Sequence, residues 1–148
     1  MTALTEVRTP RTAQEWQRYY ELRWAVLRSP WGVDGPEREE DEDRSIHRLL
    51  IAGDGEVLAV GRLHRLDEQT GQIRFMAVAP GQERKGYGSR LLQSLETAAH
   101  DIALDTVILQ ARENARPFYE HHGYELVEKT FLLFDAIQHY LMRKKLET

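Results

Sequence analysis

The chain has 148 residues, enough for one domain with a real core, and its 41% apolar and 30% charged residues exclude a disordered chain. The absence of Cys excludes disulfides, thiolate metal sites and a cysteine nucleophile, and fits a cytoplasmic protein. A net charge of −4 argues against nucleic acid as a partner; no stretch approaches the roughly 18 apolar residues of a membrane span, and Met1 to Glu6 does not read as a signal peptide.

A short strand is expected from about Thr5 to Arg8, ahead of Pro10. Thr12-Ala13-Gln14-Glu15 has the form of a capping box, the threonine accepting from the glutamate N–H and the glutamate reaching back. Trp16, Tyr19, Tyr20, Trp24 and Leu27 then recur at helical spacing, so a helix should run to about Arg28, its aromatic stripe facing the core. Ser29-Pro30-Trp31-Gly32 ends it. Six carboxylates lie between Glu37 and Asp43; they read as a solvated loop or, alternatively, as a lure for a cationic substrate.

Leu49 to Ala52 and Val57 to Val60 are strand-like runs joined at the Gly53-Asp54-Gly55 turn. Ile73 to Val78 is the next strand and Pro80-Gly81 breaks it. Leu91, Leu92, Leu95, Ala98 and Ala99 mark an amphipathic helix to about His100. Val107-Ile108-Leu109 is a buried strand, Ala115 to His122 a short helix stopped by Gly123, and two strands follow near Tyr124 to Phe131 and His139 to Lys144. This order predicts one mixed α/β domain over residues 1–148. The crossover after Val78 makes that strand parallel to the one at Val107.

Between those two strands lies Arg84-Lys85-Gly86-Tyr87-Gly88-Ser89, a basic turn that opens a helix at its glycines. The unpaired N–H groups and the dipole of a helix N-terminus favour an anion there. Gly86 and Gly88 lack Cβ atoms, so phosphate can come close to the backbone. A nucleoside triphosphate loop needs Lys-Ser or Lys-Thr where Tyr87-Gly88 stands, and a dinucleotide fingerprint needs glycine where Leu91 stands, so both readings fail.

Val78-x-Pro80 followed by Lys85-Gly86-Tyr87-Gly88-Ser89-x-Leu91-Leu92 resembles motif A of the GNAT acetyltransferases, in which this loop holds the coenzyme A pyrophosphate. Ala115-Arg116-Pro117-Phe118-Tyr119-Glu120-His121-His122-Gly123-Tyr124 resembles the family's second motif. The likeness extends over essentially the whole chain. Tyr19 to Trp24 and Arg74 to Val78 are also similar to acetyltransferase modules fused to thioesterase-like domains; no such second domain is read here. There are departures: Glu83 stands where the family usually has Gln or Arg, and Arg112 stands where it usually has Asn seven residues before the motif tyrosine.

The resemblance implies a GNAT-type fold: a central mixed, mostly antiparallel twisted sheet with helices on both faces, splayed between its fourth and fifth strands. It implies acetyl-CoA as cosubstrate and no metal. It implies cofactor contacts from main-chain groups of Met76, Ala77 and Val78, from Arg84 to Ser89, and from Arg112 and Phe118. It makes Tyr119 the general acid that protonates the departing thiolate. The acceptor is then an amine on a small molecule or peptide, with no nucleic acid or membrane involved; a homodimer is compatible with the family. The base is less clearly marked. The family's glutamate position falls on Gln72, which cannot serve, leaving His47, His64, His139, Glu39 and Asp41. His121 and His122 are expected only to complement a helix dipole. Two other readings stay open, a non-catalytic coenzyme A sensor, supported by the neutral Gln72 and by Glu83, and an interaction domain with a vestigial loop.

Overall fold

The computed structural model describes residues 4–32 and 42–147. Strand β1 (Thr5–Arg8) leads to helix α1 (Ala13–Leu27), which starts at the expected cap: the Glu15 N–H donates to the Thr12 hydroxyl at 3.1 Å. Glu15 reaches back one residue further than a capping box requires, accepting the Arg11 N–H at 2.8 Å. It also grips the Arg8 guanidinium at 2.6 and 3.0 Å, and Arg8 foremost holds its carboxyl down to about 2. The cap therefore also ties α1 to β1.

Strands β2 (Ile46–Ala52), β3 (Val57–Arg65) and β4 (Thr70–Val78) follow, then helix α2 (Tyr87–Asp101), β5 (Thr106–Arg112), helix α3 (Arg116–His121), β6 (Glu125–Leu133) and β7 (Ile137–Lys145). They form a seven-stranded sheet in the order β1-β2-β3-β4-β5-β7-β6, with β4 and β5 its parallel pair. Alternation in β2 and β3 serves two layers. Leu49, Ile51 and Val60 pack with Tyr19 of α1 on one face; Leu50, Ala59 and Leu63 pack with the helix α2 side on the other. Helices cover both faces, as the resemblance implied. No helix among the described residues is long and apolar enough to cross a membrane.

One strand position breaks the apolar pattern. Arg62 lies in the middle of β3 and is fully buried. Its charge is met by Glu42, from the turn before β2, which also accepts from Arg23 of α1 at 3.0 and 3.2 Å and from the Tyr20 hydroxyl at 3.0 Å. A buried charge is tolerated only when paired and hydrogen-bonded, and here two guanidiniums share one carboxylate. His47 closes the cluster. Its Nε2 is 2.7 Å from the Glu42 carbonyl, which can only accept, so Nε2 carries the hydrogen. Burial foremost lowers the His47 pKa, keeping the ring neutral, and the Tyr19 hydroxyl lies within reach of two acceptors, Nδ1 at 2.8 Å and the Gly61 carbonyl at 3.1 Å.

This corrects both readings of the acidic run as far as Glu42 goes, since its side chain is neither solvated nor offered to a substrate. Glu39 and Asp41 lie outside the described residues. Burial pushes the Glu42 carboxyl up, but Arg23 and Arg62 outweigh it, and its pKa ends below the ordinary value. A lowered carboxylate pKa adds stability that is complete above the unfolded value of about 4.3 and is lost as pH falls through the folded value. Glu42→Gln strands two buried guanidiniums and should cost about 3–5 kcal/mol in urea unfolding at neutral pH. The gap from wild type should narrow on acidification below about pH 4.3.

Candidate active site

Strands β4 and β5 pair only from Thr70 opposite Thr106 to Ile73 opposite Leu109. Beyond Ile73 they part, and among the described residues no strand pairs with the β5 side of β4 on its run to Val78. The parting coincides with a bulge: the β3–β4 register shifts between Val60 and Arg62, and Phe75 stands opposite it at φ 59°. A left-handed conformation costs a bulky residue roughly 1–2 kcal/mol, so something must hold it. Arg23, Arg74 and Arg62 lie over the Phe75 ring at 4.1, 4.8 and 5.0 Å from its centre. Two of them are the cations that Glu42 ties down, so the buried cluster and the bulge are one unit.

The parting opens a cleft of about 460 Å³. Arg28, Gln72, Phe75, Met76, Arg112, Tyr119 and His139 line it, with apolar walls from Leu27, Leu109, Phe131 and Leu133. Tyr119, on α3, is buried against the rings of Phe118 and Tyr124 at 5.1 and 5.7 Å. Burial pushes its phenol pKa up, so it is fully protonated at neutral pH. His139 is buried and stacked on Phe131 at 4.4 Å. Its Nδ1 is 3.0 Å from the Ile137 carbonyl, so Nδ1 carries the hydrogen. Its pKa is lowered, by burial foremost and then, against a rise from that Ile137 bond, by Arg112 and Arg28. The ring is thus neutral near pH 7, with its lone pair on Nε2.

Past the far end of β4, Gly86 sits at the N-cap of α2 with φ 83°, and among the described residues no side chain caps the helix. The first N–H groups of α2 therefore keep their capacity for an anion. Arg84, at φ 67°, and Lys85 are exposed on the turn. The Glu83 carboxylate turns back to accept the Gly81 N–H at 2.9 Å. Gly88 lies over Phe118 and Val78, where a Cβ would meet them at 3.4 and 3.5 Å.

A family model described as the acetyltransferase (GNAT) family matches residues 16–124. The chain belongs to the GNAT acetyltransferase family. The N-acetyltransferase YjcF of Bacillus subtilis is 30% identical over 108 residues, 73% of this chain and 77% of that one. Escherichia coli ElaA has the same fold, with TM-score 0.81 at 19% identity over 97% of this chain and 100% of its own. So does a GNAT family acetyltransferase of Elizabethkingia anophelis with acetyl-CoA bound, with TM-score 0.73 at 15% identity over 97% of this chain and 98% of its own.

Within this GNAT domain the residues singled out from sequence separate into two groups, one at the glycine turn that follows β4 and one in the cleft. Arg84 to Ser89 and Phe118 gather at the start of α2, while Met76, Gln72, Tyr119 and His139 gather in the cleft. Arg112 is in the cleft, not at the glycine turn, and its guanidinium donates to the Leu27 carbonyl at 2.9 Å. Met76 and Val78 pack their side chains into the α2-side core, and Tyr87 joins them. Of the possible bases, His47 belongs to the Glu42 cluster and His64 faces a different hollow, beside Arg44 and Ile102. His122 does more than complement a dipole: its Nε2 and the Ser89 hydroxyl share a 2.8 Å hydrogen bond, linking α3 to the glycine turn.

The clamp of Arg23, Glu42 and Arg62 on Phe75 was not anticipated. A signal existed, because Arg62 interrupts an apolar strand run and so required a buried partner. The glycine turn makes a direct prediction. Gly88 is helical without positive φ, so Gly88→Val should fold while its methyls crowd Phe118 and Val78 and close the gap over the helix start. Calorimetric affinity for coenzyme A should fall about tenfold or more, with less loss of melting temperature than in Gly86→Val, where φ 83° adds strain.

Proposed function

We propose that the domain transfers an acetyl group from acetyl-CoA to an amine nitrogen by direct attack, with Tyr119 as general acid and His139 as the proton acceptor. The observation that carries this reading is the unpaired β5-facing edge of β4, running between the glycine turn and a cleft that holds both Tyr119 and His139. The α2 N-terminus, with Arg84 and Lys85, receives the pyrophosphate. The pantetheine arm lies along Met76 to Val78 as an added strand. A main-chain N–H there holds the thioester oxygen as it becomes an oxyanion. Acetyl-CoA bound to the Elizabethkingia relative supports this choice of cosubstrate.

In the reaction the amine nitrogen attacks the thioester carbon and its proton passes to His139 Nε2. The C–S bond then breaks and the thiolate takes the Tyr119 phenol proton, leaving an amide and free coenzyme A. An ordinary phenol is a weaker acid than a thiol by about 2 kcal/mol, and burial weakens Tyr119 further. Tyr119 therefore assists the step without dominating it. A non-catalytic sensor would need no proton acceptor in this cleft, and His139 is one.

Thiol release from acetyl-CoA with an amine panel tests the reading. Tyr119→Phe keeps the ring and should lower kcat by at most about 10²-fold, the bottom of the usual range for general acid catalysis, with little change in acetyl-CoA affinity. His139→Gln should lower kcat and remove the acid limb of the wild-type pH profile, whose midpoint should lie below 6.5 because His139 must be neutral to act. Wild-type kcat in both variants would mean that water handles both protons.

A further inference from the structure

Arg112 and His139 stand directly opposite each other across β5 and β7. Such partners point to the same sheet face with Cβ atoms about 4.5–5.5 Å apart. Both side chains line the cleft, and no Asp or Glu lines it among the described residues. The Arg112 bond to the Leu27 carbonyl satisfies the end of α1 and uses one N–H of the guanidinium fork. No carboxylate pairs with Arg112 among the described residues. Its charge is half-buried beside Arg28, an environment that disfavours it. A cation kept in such a place without a counter-ion suits an anionic ligand, and a guanidinium fork matches a carboxylate in two-point contact.

We infer that the acceptor is an α-amino acid, its carboxylate held by Arg112 and its amine beside His139. The inference rests on the acyl-transfer reading for the role of His139. It follows from spacing: the amine and carboxylate of an α-amino acid are carried on one carbon, and Arg112 and His139 are neighbours on one face. A lysine side chain or a peptide N-terminus carries no carboxylate at that distance from its amine. Leu27, Leu109, Phe131 and Leu133 leave an apolar wall for the side chain.

The experiment is calorimetric titration of the coenzyme A-saturated protein with L-leucine and L-phenylalanine, each against its own primary amide. The acids should bind about tenfold or more tighter than the amides. Arg112→Gln keeps a donor for the Leu27 carbonyl and removes the charge; it should abolish the preference without changing coenzyme A affinity. Arg112→Lys should keep part of it. Equal binding of acid and amide, no binding of either, or a preference that survives Arg112→Gln overturns the proposal. Loss of coenzyme A affinity in Arg112→Gln also overturns it and assigns Arg112 to the cofactor. Thiol release separates this from the acyl-transfer reading. Turnover of the amides but not the acids removes only the carboxylate site. Tight, Arg112-dependent acid binding with no thiol release from acetyl-CoA removes only the transfer.

Discussion

The site depends on one strained residue being held in place. Phe75 adopts a left-handed backbone in the middle of a strand, and that bulge lies where β4 leaves β5. Nothing local favours this in a phenylalanine. The restraint comes from Arg23 and Arg62 over its ring, and those cations can be buried there because Glu42 accepts from both. Helix α1, the turn before β2, strand β3 and strand β4 thus meet at one ion cluster. The edge of β4 that the cluster leaves unpaired is the surface on which the proposed chemistry runs.

The charge around that edge is divided by position. The glycine turn offers helix N–H groups, Arg84 and Lys85 at the exposed end. The cleft offers Arg28 and Arg112 beside a neutral histidine and a protonated tyrosine. The same burial that keeps the Tyr119 proton on its oxygen weakens it as an acid, and the burial that keeps His139 neutral weakens it as a base. Neither group alone supplies a large driving force. In this account positioning of the thioester against the amine carries more of the rate, with the two proton transfers completing it.

Much of the fold was legible because its signals are local. The Thr12 cap, the leucine spacing of α2, the stop at Gly123 and the strand–turn–helix at Gly86 each follow from backbone rules acting over a few residues. Strand ends were less legible. β3 runs five residues beyond Val60 because Arg62 is paid for by a carboxylate twenty positions away in sequence, which no periodicity reveals. The Glu42 cluster was hidden for the same reason, since a carboxylate inside an acidic run looks solvated until its partners are known. The family position marks Arg112 as a cofactor contact, and only the sheet register shows that it also stands opposite His139 in the cleft.

Amide hydrogen exchange on β4 reads the parted edge itself. If the parted edge takes the pantetheine arm as an added strand, saturation with coenzyme A should slow exchange at cleft-facing amides between Phe75 and Val78 by about tenfold or more. Amides in the β2–β3 ladder, already paired, should change little. Unchanged exchange along Phe75 to Val78 in the saturated protein would contradict the account, because coenzyme A would then be bound without using the edge that the Phe75 bulge exposes.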